Sequence, residues 1–133
     1  MDFPNIDDNY EDAKYKAKML YESIGRVWCP ALNDFIVLDD AGFLHLIEKG
    51  RLPRPKSEQK RRFFILRYVK DILGTKEPFS NDRLFASGTP VKYWKFINIQ
   101  EGNTIKIVIR QIDNRQKYFL SIYGTIKNPR PEA

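Results

Sequence analysis

The stretch Val91–Gly124, VKYWKFINIQEGNTIKIVIRQIDNRQKYFLSIYG, decides the fold. Three runs in it, Val91–Ile99, Thr104–Ile112 and Lys117–Gly124, are rich in β-branched and aromatic residues and read as strands. Gly102-Asn103 and Asp113-Asn114 mark the turns between them. The expectation is a three-stranded antiparallel meander. Side chains alternate between faces along a strand. A turn around Asp113–Gln116 pairs Val108 with Ser121 and Lys106 with Tyr123. Lys106, Arg110, Lys117, Ser121 and Tyr123 then share one face, while Ile105, Ile107 and Ile109 share the other. One face is a core. The other is a cationic floor bearing hydroxyls and aromatics, which either Trp94 or Tyr93 joins, depending on the length of the Gly102 turn.

The segments before the meander change period. Tyr10, Ala13, Ala17, Leu20 and Ile24 form one apolar stripe, predicting a helix from Asp8 to Ile24. Asp8 and Glu11 fit a capping box, and Gly25 is a natural stop. Phe35–Leu38 reads as a short strand. Asp39 or Asp40 then caps a helix from Ala41 to Lys49, closed by Gly50. Pro53 and Pro55 make Arg51–Lys56 a loop. A helix capped by Ser57 and running to Leu73 buries Ile65, Leu66, Val69, Ile72 and Leu73, and Thr75–Pro90 reads as a loop. The class is α+β, with N-terminal helices packed on one face of the meander. Residues 1–127 form a single domain, and 128–133 read as a flexible tail.

Composition narrows the function. The chain has 133 residues, 42% of them hydrophobic, which is enough for one core and excludes wholesale disorder. No apolar run approaches the roughly 20 residues of a membrane span. The acidic opening MDFPNIDDNYED reads as neither a signal nor a transit peptide, so the expected location is cytoplasmic. Cys29 and His45 are single, which argues against an internal disulfide or a Cys/His zinc cage. Cys29, before Pro30, reads as a buried structural thiol. No cofactor or metal is expected. The net charge of +6 is uneven. Residues 1–48 carry four Lys/Arg against ten Asp/Glu, residues 49–76 carry ten against two, and residues 77–133 carry nine against five. A dense basic centre beside an acidic leader is the footprint of a polyanion site.

His45 lies at the edge of that centre. On a helix, Lys49 four residues on shares its face, and Glu48 is placed to orient it. Metal-free RNA cleavage needs a base for the 2′-hydroxyl, an acid for the leaving oxygen and fixed cations around the phosphate. Histidine suits either proton role, and arginines supply the charge. Trp94 or Tyr123 suits base stacking. The second proton carrier is left open: Lys49, Glu48, a tyrosine, or none. No phosphate-binding Gly-rich loop and no nucleophile elbow is present.

The order of a leading helix, IVLDDAGFLHLIEKG with its His45, QKRRFFILRYVKDIL with its Arg62, and a meander ending YFLSIYG resembles the BECR ribonucleases, the barnase, EndoU, colicin and RelE-like fold. The likeness is strongest to their phage-associated and toxin-like branch, through Gly42-Phe43-Leu44-His45, Arg62 before Ile65-Leu66, and Ser121 two residues before Tyr123. It covers roughly residues 25–125. What the resemblance implies is a metal-independent endoribonuclease, often a toxin acting on tRNA or other RNA. It would carry His45 as acid or base, Arg62 as phosphate clamp and Ser121 as the hydroxyl on the last strand. Lys49 and Arg110 join from the charge pattern, with Arg51 and Arg61 as further RNA contacts. An acidic inhibitor or antitoxin is a second expected partner. Two rival readings are a non-catalytic RNA- or DNA-binding module using residues 49–76, and an interaction protein whose basic middle docks an acidic partner, with the acidic leader as an alternative cover for the patch in cis.

Overall fold

A computed structural model describes residues 2–75, the backbone of 79–86, and residues 89–126. The predicted tail lies outside them. Helix α1 spans Tyr10–Ile24, starting two residues later than expected. Asn9 is its cap, accepting the Asp12 backbone N–H at 2.9 Å. Asp8 instead takes the Asn5 backbone N–H and the Lys16 ammonium. After Gly25 comes a hairpin of β1 (Arg26–Cys29) and β2 (Asp34–Val37). Helix α2 spans Asp40–Ile47. A miniature hairpin of β3 (Glu48–Lys49) and β4 (Leu52–Pro53) stands where a proline loop was expected. Helix α3 runs Lys56–Ile65, a 3-10 turn covers Leu66–Tyr68, and α4 is Val69–Leu73. The single helix expected over 57–73 is thus broken at Leu66, and Pro55 rather than Ser57 stands at the start of α3. The expected stripe is still buried, because Ile65, Leu66, Val69, Ile72 and Leu73 all have no exposed surface.

Strands β5 (Phe79–Ala86), β6 (Thr89–Gln100), β7 (Asn103–Ile112) and β8 (Lys117–Gly124) complete the chain. The meander is as expected, but β5 lies in the stretch read as a loop and pairs with β6 throughout. The sheet has six strands in the order β1-β2-β8-β7-β6-β5, antiparallel except where β2 meets β8 in parallel. The class is α+β.

Val108 pairs with Ser121 and Lys106 with Tyr123, as the parity predicted. Ile109 then faces Phe119 and Arg110 faces Tyr118, so Leu120 is an extra residue. This bulge shifts the parity of the strand before it. Phe119 turns to the core, 1% exposed. Lys117 leaves the expected cationic floor for the core side, where it reaches Asp34 at 2.8 Å and lies over the Trp94 ring. Trp94 is opposite Ile109 and belongs to the core, so Tyr93, opposite Arg110, joins the open face instead.

Ile105, Ile107, Ile109, Phe96 and Ile122 meet Ala13, Ala17, Leu20 and Phe63 beneath the helices. Each such side chain contributes about 1.5–3 kcal/mol by leaving water. Cys29 is fully buried among them, and burial pushes its thiol up. No described helix is long and apolar enough to cross a membrane.

Gly42 sets the distance from α2 to the sheet. A Cβ there would lie 2.7 Å from the Phe119 carbonyl oxygen and closer still to the Tyr21 hydroxyl. Gly42→Ala therefore forces α2 off β8. It should cost about 1–3 kcal/mol, read as a lower thermal midpoint, and shift the resonances of the His45 ring.

Candidate functional site

The site grows from the end of α2. Asp39 caps that helix, accepting the Gly42 N–H at 3.0 Å, and the helix stops at Ile47. Glu48 is already extended, with φ −123° and ψ 149°, and pairs with Pro53. Gly50, at φ 66°, turns the hairpin, a conformation that costs glycine least. The hairpin delivers Arg54 back under α2. Its backbone N–H reaches the Ile47 carbonyl at 2.7 Å and its Nε the His45 carbonyl at 3.1 Å. Arg54 thus satisfies carbonyls that a helix end leaves open, where a cation is also favoured. Its Nη2 lies 3.5 Å from His45 Nδ1.

Helix α3 continues the network. Glu58 Oε2 accepts from Arg54 Nη1 at 2.9 Å and from Arg62 Nε at 3.2 Å, with Arg62 Nη2 at 3.1 Å. Arg62 Nη1 donates to Ser121 Oγ and to the Ile122 carbonyl, both at 3.0 Å. That carbonyl is free because β2 pairs with β8 only at Lys117 and Tyr118. His45, Arg54, Glu58, Arg62 and Ser121 form one connected chain of contacts.

Two cavities open beside it. One of about 420 Å³ is lined by His45, Asp39, Arg110, Arg115, Gln116 and Tyr118. The other, about 300 Å³, is lined by Glu58, Arg61, Arg62, Lys106 and Tyr123. The Arg62 guanidinium and the Lys106 ammonium both lie over the Tyr123 ring, at 5.9 and 5.6 Å.

Burial, aided by Arg54, Arg62 and Arg110, holds the His45 imidazole below its ordinary pKa, so the ring is neutral near pH 7. Burial alone would raise the Glu58 carboxyl, but Arg62 and Arg54 prevail and hold it low. The Arg54 and Arg62 side chains are only 7% and 12% exposed, so this carboxylate is their desolvated counter-charge.

Of the expected site residues, His45, Arg62 and Ser121 belong to this network, and Arg110, Arg61 and Tyr123 line its cavities. Lys49 does not share a helix face with His45. The helix has already ended, and Lys49 is exposed on β3, opposite Leu52. Arg51 is exposed in the adjoining turn. Trp94 faces the core, not the open face of the sheet. The leader does meet the basic segment, at Arg67, and not at the cavity that His45 lines. Its Pro4 carbonyl accepts from Arg67, and Phe3 lies against the same guanidinium. Sequence reasoning missed Arg54 and Glu58 as site residues. The signal was present in the spacing Arg54, Glu58, Arg62, which places one acid four residues from each of two arginines. Among the described residues no three His, Cys, Asp or Glu side chains gather as metal ligands would.

Glu58→Gln removes the charge between two desolvated guanidinium groups. It should cost about 1–3 kcal/mol at pH 7, measured by urea unfolding. A carboxyl with a lowered folded pKa stabilises above its unfolded value and loses that contribution as pH falls through the folded one. The gap between the native chain and Glu58→Gln should therefore shrink below about pH 4.3.

Comparison of the chain with protein-family models, with curated proteins and with solved structures finds no match.

Proposed function

We propose that this protein is a metal-independent endoribonuclease of the BECR kind, acting as a toxin on cellular RNA. Its site is the His45 cavity and the arginine network beside it. The observation that carries the reading is a neutral, half-buried histidine in a cavity shared with Arg110 and Arg115, joined to Arg62 and Ser121 through Arg54 and Glu58. A neutral imidazole accepts the 2′-hydroxyl proton, and the arginines balance the charge gathering on the phosphate. Tyr118 lines the same cavity, and we assign it the protonation of the leaving oxygen.

One contact favours a second reading, a non-catalytic RNA-binding module. Arginine only donates, so Arg54 against Nδ1 favours the tautomer with its proton on Nε2. In that form the ring offers a phosphate a donor rather than a base. At 3.5 Å the contact is at the outer limit of a hydrogen bond, so exchanging tautomers to free Nε2 as a base costs little.

The test is incubation with total RNA in excess EDTA. The enzyme reading expects fragments ending in 2′,3′-cyclic phosphate, intact DNA, and loss of about 10²–10⁴ in rate with His45→Ala. RNA binding with a steep salt dependence and no fragments would favour the module. Cleavage unaffected by His45→Ala would end the assignment.

pH separates the roles further. The lowered His45 pKa places the acid limb of kcat/KM below the ordinary midpoint of about 6.5 if the ring is the base. The unfolded chain takes up this proton before the folded one does. Stability should therefore fall as pH drops through about 6.5 toward the lower folded value, and His45→Ala should flatten that slope.

A further inference from the structure

The site does not end at the His45 cavity. The β1–β2 hairpin extends the open face of the sheet beyond β8. Its inner side carries Val27, Cys29 and Ile36, all in the core. Its outer side carries Arg26 and Trp28 opposite Val37 and Phe35. The registers continue this row without a break. Arg26 is opposite Val37, Val37 is beside Tyr118, Tyr118 is opposite Arg110, and Arg110 is opposite Tyr93. Four strand-to-strand steps make about 19 Å. Tyr118 and Arg110 in the middle of the row line the His45 cavity. The outer pair reaches the same cavity by a second link, since Gln116 lines it and donates to the Phe35 carbonyl at 2.9 Å.

Trp28 is 45% exposed and stands edge-on to Phe35, with ring centroids 5.1 Å apart. The Arg26 guanidinium lies 4.1 Å over the other partner of that pair, the Phe35 ring. A large exposed aromatic flanked by a stacked cation marks a binding surface rather than a core. Charge selects the occupant. On this face of β1, β2, β6, β7 and β8 the ionisable cations are Arg26, Lys95, Lys106 and Arg110, and no acidic residue is present. Aromatics that stack any base, beside cations that follow a backbone, are the working parts of a single-strand nucleic-acid track.

We infer that single-stranded RNA runs from the His45 cavity across Tyr118 and Val37 to the β1–β2 hairpin, where an unpaired base stacks on Trp28. This rests on the ribonuclease reading for what happens at His45, but not for the binding itself. The hairpin is then a distal subsite that makes the protein prefer long unpaired substrates over dinucleotides.

Titration with a 2′-O-methyl oligouridylate of about ten nucleotides, which cannot be cleaved by 2′-hydroxyl attack, tests the track apart from catalysis. Trp28 and Trp94 are the two tryptophans, and Trp94 is 9% exposed, so fluorescence quenching reports on Trp28. The native chain should show quenching. Trp28→Phe should bind nearly as well with the quenching lost. Trp28→Ala should bind about tenfold more weakly while melting cooperatively. If native RNA is cleaved, Trp28→Ala should raise KM for a decanucleotide about tenfold, leave kcat unchanged, and not affect a dinucleotide. Binding without quenching, equal affinity of Trp28→Ala and the native chain, or a polyglutamate that matches the oligonucleotide would overturn the inference. Absence of cleavage with the quenching intact would instead overturn the enzyme reading alone.

Discussion

The Glu58 carboxylate is the contact on which the candidate site depends. It holds Arg54, which closes the end of α2 and faces the His45 ring, and it holds Arg62, which reaches the last strand. Two guanidinium groups so little exposed cannot stay charged side by side without a counter-charge. The carboxylate lets the end of α2, α3 and the edge of β8 meet. Among the described residues no buried side-chain nitrogen or oxygen lacks a partner. The chemistry and the packing at this corner are therefore one arrangement.

The shape of the sheet supplies the other half. Strand β2 pairs with only two residues of β8, so the far part of β8 is an open edge within reach of Arg62. The Leu120 bulge then decides which side chains of β8 face outward. It sends Phe119 to the core and Tyr118 to the cavity. Without it the outward row would carry Lys117 and Phe119, and the cavity would lose its hydroxyl. A single inserted residue separates a buried ring from a candidate proton carrier.

Much of this was legible in the chain. Alternation in β7 announced its core face and its cationic face, and the turn residues set the pairing of Val108 with Ser121. The helix stripes were readable because 3.6-residue periodicity is a local property. The boundaries were less so. Asn9 outcompeted Asp8 as a cap because Asp8 was taken by Asn5 and Lys16, a choice made by neighbours three and eight residues away. The 57–73 segment looked like one helix because its apolar stripe is continuous, yet the chain tightens into a 3-10 turn at Leu66 to keep those side chains buried.

By itself the sequence determined the α+β class, the meander, the isoleucine core and the concentration of positive charge beside the lone histidine. These follow from periodicity, turn chemistry and composition, which act over a few residues. Only the tertiary structure decided that β1 and β2 join the sheet, that Arg54 rather than Lys49 is the partner of His45, and that Trp94 is core while Trp28 is exposed. It also decided that Glu58 ties two arginines to the edge of β8. Those outcomes turn on strand registers, a helix that stops two residues early and ion pairs between elements. Each is settled by long-range packing and by hydrogen-bond satisfaction, which no local pattern records.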